Sequence, residues 1–268
     1  MSRTRVLGFV AAVAALACGL LVTAGPALAD PPAPPGTPTA VSIAGDATVG
    51  PIFRHGLAAG HGCTGSVVAS PTRDLVITAA HCVSGTAAGW LFAPGYHDGQ
   101  TPYGVWTVVH AYLDPAWLSN QDPQHDYAML QLAHQTRQGR LIGVQDIAGA
   151  NLLGLAPRTG ATITDVAYNA GVNDRPISCT VPTYDTEHYP TFNCHGYVGG
   201  SSGSPWLTRV PGTHLNLVSG VIGGRHQGGC YEYTSYSSAF TPEVYRLLVR
   251  GAARIHPDTA PVAGSDGC

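Results

Sequence analysis

Lysine is absent from this 268-residue chain: all 13 basic residues are arginine. Chemistry that needs a side-chain amine, such as a Schiff base or a serine/lysine dyad, therefore has nothing to work with. Charge of either sign is sparse, at 11% of residues, and the formal net charge is −3. With no basic stripe to neutralise phosphates, the composition argues against a nucleic-acid ligand. Twelve histidines are present, but no HExxH string occurs and Glu187-His188 lacks the upstream histidine of the inverted motif, so a metallopeptidase signature is missing. The cysteines likewise lack the paired short spacings of a structural zinc site.

What the chain has in quantity is turn chemistry, 34 glycines and 21 prolines. Arg3 and Arg5 precede an uncharged run from Val6 to Gly25, and Ala27-Leu28-Ala29 supplies small residues before Asp30, which reads as a signal peptide over residues 1–29. The run is nearly long enough to be an uncleaved membrane anchor, but the Ala-x-Ala string fits cleavage better. Cys18 lies in that run with no leucine three residues before it, which gives a lipoprotein anchor little support. Secretion to the extracellular space, without stable membrane association, is the expectation. Cleavage would take the formal charge to −5 and leave six cysteines, Cys63, Cys82, Cys179, Cys194, Cys230 and Cys268, an even set suited to an oxidising compartment.

Residues 30–48 include the Pro-rich string Pro31 to Thr39, which reads as an extended leader, either linker or pro-segment. The packed domain is expected over 49–268. Within it, short apolar runs alternate with Gly, Pro and Asn/Asp: Ser66 to Ala69, Leu75 to Ala79, Val105 to Tyr112, Ala128 to Leu132, Ala161 to Ala167, Trp206 to Thr208 and Leu217 to Ile222. That spacing predicts an all-β barrel or sandwich of short antiparallel strands. One helix stands out near the C-terminus, where Thr241-Pro242-Glu243 offers a start and Val244, Leu247, Leu248 and Ile255 an apolar face.

Three separated strings carry candidate chemistry. A serine hydroxyl is a weak nucleophile at neutral pH and needs an imidazole to take its proton and a buried carboxylate to hold that ring in the right tautomer. His81 ends Thr78-Ala79-Ala80-His81 after the apolar run Leu75–Thr78, Asp126 opens Asp126-Tyr127-Ala128-Met129-Leu130, and Ser202 lies in Gly199-Gly200-Ser201-Ser202-Gly203-Ser204-Pro205. In that glycine-rich loop the Gly200 and Ser202 amides could stabilise an oxyanion. Each string alone has an ordinary reading as a structural histidine, a turn acid or a flexible loop. In this order, together, they are far more specific.

The strings TAAHC, DYAML and GSSGSP resemble the three signatures of chymotrypsin-fold serine peptidases, over roughly His61 to Ile255. The resemblance implies two six-stranded antiparallel β-barrels with the site between them and a C-terminal α-helix. Within the group the chain is most similar to secreted trypsin-like peptidases of high-GC bacteria, including the glutamyl-endopeptidase-like branch. It implies His81 as general base, Asp126 as orienting carboxylate and Ser202 as the nucleophile of a secreted endopeptidase. Peptide or protein would be the substrate, no cofactor or metal would be needed, and a monomer is expected.

The departures matter as much. Ser201 stands where animal relatives have the aspartate that pairs with a newly freed N-terminus, so that mode of activation has no partner here. Ser204 replaces the second glycine of the motif, and Ser201 and Ser204 are rival nucleophiles that motif alignment ranks behind Ser202. At the pocket, Gly196 occupies the position where trypsin-like selection of Arg or Lys needs an acid, and Ile222 the position where the glutamyl branch has a histidine. Gly223 and Gly224 continue that substrate-bordering strand, and His226 lies further on. A neutral or small residue at the cleavage position fits at least as well. A Cys63–Cys82 bridge would pin the loop bearing His81, and Cys179–Cys194 would close a loop in the second barrel at a gain of about 3 kcal/mol. Cys230–Cys268 is left by elimination, and six cysteines allow fifteen connectivities. His55, His61, His97 and His195 are expected at the surface or in loops.

Two other readings stay open. One is a non-catalytic peptidase-fold binding module, although no member of the three is missing. The other is an α/β-hydrolase esterase, since Gly199-Gly200-Ser201-Ser202-Gly203 formally satisfies GxSxG with Ser201 as nucleophile. Against it, an elbow should lead straight into a helix and be followed by its histidine.

Overall fold

Short apolar runs broken by turn residues make short strands, and the computed structural model, which describes residues 30–268, builds almost everything from them. The signal peptide expected over 1–29 lies outside the described residues. The first half contains β1 (Val41–Ser42), β2 (Val49–Phe53), β3 (Cys63–Val68), β4 (Leu75–Thr78), β5 (Leu91–Phe92), β6 (Trp106–Leu113), β7 (Ala128–Leu132), β8 (Gln135–Arg137) and β9 (Arg140–Ile142). The second contains β10 (Leu152–Leu153), β11 (Thr162–Ala167), β12 (Ile177–Pro182), β13 (Tyr184–Thr186), β14 (Tyr189–Asn193), β15 (Pro205–Arg209), β16 (Asn216–Val221) and β17 (Thr234–Tyr236). Helices α1 (Pro115–Asn120), α2 (Gln145–Ala148) and α3 (Glu243–Ala253) complete the set.

Strands β2, β3, β4, β7, β6 and β5 close into a barrel in that order. Closure leaves no unpaired edge. β3, β4 and β7 are buried along their whole length, because the barrel interior takes one face while α3 and the second half cover the other. The second half is a six-stranded sheet, β1-β12-β11-β15-β16-β10, beside a three-stranded sheet, β13-β14-β17. The two sheets share one core. Phe192 of β14 meets Trp206 of β15 and Tyr197 edge-on at 5.0 and 5.2 Å, with Ile163, Ala167 and Ile222 around them. Among the named strands of the described residues one pairing departs from the antiparallel pattern: β10 runs parallel to β16.

The leader expected to be merely extended is partly hydrogen-bonded. β1 pairs with β12, Ala40 N donates to His195 O at 2.9 Å, and His195 N donates to Pro38 O at 2.8 Å. A proline can accept in such a ladder although it cannot donate, so Pro-rich composition hides the contact.

α3 starts at Glu243, with Val244 and Leu247 buried and Leu248 half-buried. Ile255, expected on its apolar face, lies past the end of the helix and is 47% exposed. The helix packs on β4, β6 and β7 of the closed barrel although it follows the second half in sequence, so the chain's last element ties the halves together. Disulfides join Cys63 to Cys82, Cys179 to Cys194 and Cys230 to Cys268.

Candidate active site

β4 and β7 are neighbours, and Thr78 stands opposite Ala128 in their register. The chain leaving β4 and the chain entering β7 therefore meet at one rim. His81 sits there in a 3-10 turn, Ala80–Cys82, directly after β4, and Asp126 ends the Pro123–His125 turn just before β7. Ala79 and Ala80 are fully buried, and their small side chains let the histidine segment fold tightly over the barrel end. Asp126 Oδ2 lies 2.7 Å from His81 Nδ1, while Oδ1 accepts the His81 amide at 2.8 Å. Gly224 N also donates to Oδ2 at 2.8 Å. The Asp126 amide donates to Ser238 Oγ, whose own proton goes to Pro123 O. Asp126 is fully buried and the His81 side chain is 8% exposed. An imidazole nitrogen facing a carboxylate keeps its proton, which leaves Nε2 as the acceptor.

Ser202 is brought to the same rim by its backbone. Its carbonyl accepts from Thr64 N at 2.8 Å, and Cys82 Sγ lies 3.7 Å from the same oxygen. Gly203 follows with φ +81°, and a Cβ there would fall 2.2 Å from Thr78 Oγ1 and 2.3 Å from Thr64 O. Only glycine lets the serine loop press this closely on the end of β4. Of the three serines, Ser202 is partly exposed, Ser201 is 5% exposed and Ser204 is fully buried with its hydroxyl on Asp165.

Gly200, two residues earlier, has φ +100° and a notional Cβ 2.0 Å from Ala170 N. The peptides on either side of Gly200 are each held: Gly199 O, in the peptide that carries the Gly200 amide, accepts from Ala170 N at 2.6 Å, and Gly200 O, in the next peptide, accepts from Thr64 Oγ1 at 3.1 Å. Among the described residues, the amides of Gly200 and Ser202 have no protein acceptor. Two unpaired N–H groups on one rigid turn are the requirement for receiving an oxyanion.

Thr64 was not legible as part of this arrangement. It is fully buried, holds Gly200 O with its hydroxyl and Ser202 O with its amide, and accepts Tyr168 N at 2.9 Å. It follows Cys63 in an unremarkable string, and its partners lie more than a hundred residues away. Asp165 did leave a signal. In β11 it falls between Ile163 and Ala167 at alternate positions, which puts a carboxyl on the face that enters the core. Burial pushes it well above the usual carboxylate range, against the opposing effect of the Ser204 hydroxyl.

The four residues expected to border the substrate are spread differently. Gly223 and Gly224 lie against Asp126, with a notional Gly223 Cβ 3.0 Å from Oδ2. Ile222 is 3% exposed within the second core, and its carbonyl accepts from Gly203 N. Gly196 has its amide on Glu232 Oε2 at 2.6 Å, and Glu232 Oε1 pairs with His195. His61, expected at the surface or in a loop, lies in the connection before β3 but is buried. Its Nε2 donates to Asp174 Oδ1 at 2.9 Å, with Phe53 and Tyr168 edge-on to the ring. The reason is a clasp between the halves, completed by Arg175 with Asp98 and by Asn173 N with Tyr96 OH.

The fold recurs in solved structures. The protease Anisep from Arthrobacter nicotinovorans is 24% identical with a TM-score of 0.64, covering 79% of this chain and 98% of that one. The thermostable serine protease AL20 from an extremophilic microorganism is 22% identical with a TM-score of 0.63, covering 78% and 98%. A Glu endopeptidase solved in complex with MPD is 16% identical with a TM-score of 0.61, covering 81% and 98%. No curated protein sequence matches the chain. The family model described as Trypsin matches residues 36–242. The expected second barrel is two sheets around one core rather than a closed cylinder, and with that family match over most of its length the chain belongs to the trypsin family of serine peptidases.

Proposed function

We propose that the protein is a secreted serine endopeptidase that cleaves peptide bonds through an acyl-enzyme on Ser202. The observation that carries this reading is the fully buried Asp126 gripping both the ring and the backbone of His81 beside the Ser202 loop. Asp126 holds the Nδ1 proton, so Nε2 of His81 takes the proton of the Ser202 hydroxyl as its oxygen attacks the carbonyl carbon. The oxyanion is received by the Gly200 and Ser202 amides. His81 then gives the proton to the departing amine, and the same ring activates water to release the acyl group. The cycle draws on no cofactor.

Substrate selection follows from the pocket positions. At the positions the resemblance assigns to the pocket, Gly196 has no side chain and Ile222 is no histidine, and the Glu232 carboxylate on the Gly196 amide is paired with His195, which favours a neutral or small side chain at the cleavage position. Secretion is supported by three disulfides; among the described residues no helix is long and apolar enough to cross a membrane. We expect a monomer. The esterase alternative is weakened by the burial of Ser201 and by strand β15, not a helix, after the serine loop. A binding module would leave the paired Asp126 and His81 without a task. Profiling a mixed peptide library with the mature protein and a Ser202→Ala control decides the matter. Cleavage by the first alone supports the proposal, and equal profiles reject it.

A further inference from the structure

At the end of the closed barrel remote from His81, three arginines gather around a cleft. Arg73 comes just before β4 and His81 just after it, so the strand separates this region from the candidate active site. The β8–β9 hairpin turns through Gln138 and Gly139, both at positive φ, +50° and +74°, which is the two-residue geometry that sets the flanking residues directly opposite each other. Those residues are Arg137 and Arg140. Directly opposed side chains stand on one face of a hairpin, and like charges there repel. Arg137 donates to Gln135 Oε1 at 3.1 Å and stacks over the Trp106 ring at 5.6 Å. Arg140 is exposed, and among the described residues its guanidinium has no partner.

Arg73 closes the other side. Its φ is +59°, its carbonyl accepts from Gln145 N at 3.1 Å, and a notional Cβ on Gly143 would fall 2.1 Å from the same oxygen. The chain leaving β9 is thereby pressed onto the turn that carries the third guanidinium. Between them lies a cleft of about 690 Å³, lined among others by the three arginines, Leu141, Ile142 and Ile147. That size is in the range of ligand pockets, about 300–1,000 Å³. The floor is apolar: Ile142 and Ile147 are half-buried against the barrel core, and Leu141 is 68% exposed. Among the described residues that line the cleft, Asp146 supplies the one carboxylate. Both its oxygens are taken, by Arg73 at 2.8 Å and by Gly143 N at 2.9 Å.

We propose that this cleft is a binding site for a small amphiphilic oxyanion, a carboxylate or phosphate monoester carried on an aliphatic chain. The head group sits between the Arg137 and Arg140 guanidinia, whose planar N–H forks match either oxyanion, and cancels their repulsion. The aliphatic chain lies on Leu141, Ile142 and Ile147. A bilayer is a poorer source of the same chemistry, because the site is concave and the formal net charge of −3 opposes approach to an anionic surface. The inference does not rest on the peptidase reading, since the cleft and His81 lie at opposite ends of β4.

Isothermal titration of the folded protein at low ionic strength tests it, with octanoate and octyl phosphate as probes. One site per chain is expected, and acetate, inorganic phosphate and octanol should each bind at least about tenfold more weakly. Arg140→Gln should weaken octanoate about tenfold, and Leu141→Ser should weaken it while leaving acetate unchanged. Arg246→Gln, at an exposed position of α3, should have no effect. A second measurement covers altered folding of the variants: without ligand Arg140→Gln melts no lower than the parent protein, because it removes the repulsion, and octanoate raises the melting temperature of the parent but not of the variant. Equal affinity in the parent and Arg140→Gln overturns the proposal. So does acetate binding as tightly as octanoate, which would be charge alone, or octanol doing so, which would be the apolar floor alone. If neither probe binds and phosphatidylglycerol vesicles do, the arginines face a membrane and the proposal fails equally.

Discussion

At the scale of single residues, Thr64 is the side chain whose removal is most informative. Its hydroxyl holds the Gly200 carbonyl, in the peptide between the free Gly200 and Ser202 amides, so it fixes the turn that presents both. Thr64→Val keeps the shape and removes the hydroxyl. We expect kcat to fall at least about tenfold, or about 1.4 kcal/mol of transition-state stabilisation, with little change in KM. Thr64→Ser should restore most of it. Steady-state kinetics on one peptide substrate check this, and a loss confined to KM would assign Thr64 to substrate binding instead.

Asp165 makes a prediction about pH. Its carboxyl is buried and held above its ordinary range, so the native state keeps a proton that the unfolded chain releases. Between the unfolded and native pKa values the folded protein binds more protons, so stability is greatest below the unfolded value and falls as pH rises through that window. Asp165→Asn keeps a partner for the Ser204 hydroxyl and cannot ionise. Melting temperatures from pH 4 to 8 should show the variant gaining on the parent protein as pH rises. A constant difference across that range would mean Asp165 is ionised in the fold.

At the scale of elements, close packing around the serine loop leaves no room for a side chain at Gly203. Gly203→Ala would drive a Cβ into Thr78 and the Thr64 carbonyl at a positive φ, and we expect a loss of more than about 2 kcal/mol in stability together with activity. Gly212→Ala is the control, because its φ of +73° carries the same backbone cost but nothing lies within 4 Å. Denaturant unfolding compares the two, and equal losses would show that backbone conformation alone sets the cost.

The elements also mark what a reader of the sequence can and cannot see. The seven apolar runs between Ser66 and Ile222 correspond to β3, β4, β6, β7, β11, β15 and β16 within a residue or two at most boundaries, because each is a short apolar stretch between polar or turn-forming segments. β12, β13 and β14 were missed, since Ile177–Pro182 and Tyr184–Asn193 are rich in Thr, Tyr, Pro and Asp and carry their strand character in long-range pairing. The His81, Asp126 and Ser202 strings were legible because a short motif surrounds each one. Thr64, Ala170 and Ser238 were not, because what recruits them is a backbone group of a distant loop or turn.

At the scale of the whole molecule, the two halves are held by several independent ties: the His61–Asp174 clasp, the Thr64 contacts, α3 and the C-terminal segment. The N-terminal segment adds to the second half through β1 and lacks the carboxylate at Ser201 that would receive a buried terminus. Extending a chain that starts at Asp30 by a few residues should therefore leave kcat/KM within about one order of magnitude. Removing residues 30–43 should cost far more, since it strips β1 and the hydrogen bonds to His195. Loss of activity on extension alone would mean that a free terminus is needed.

The most direct measurement is covalent labelling of the folded, mature protein with a serine-directed fluorophosphonate, followed by mass mapping of the modified peptide. The account predicts one adduct per chain, on Ser202, formed at a rate that collapses in His81→Ala. An unlabelled protein, or an adduct on Ser201 or Ser204, would contradict it.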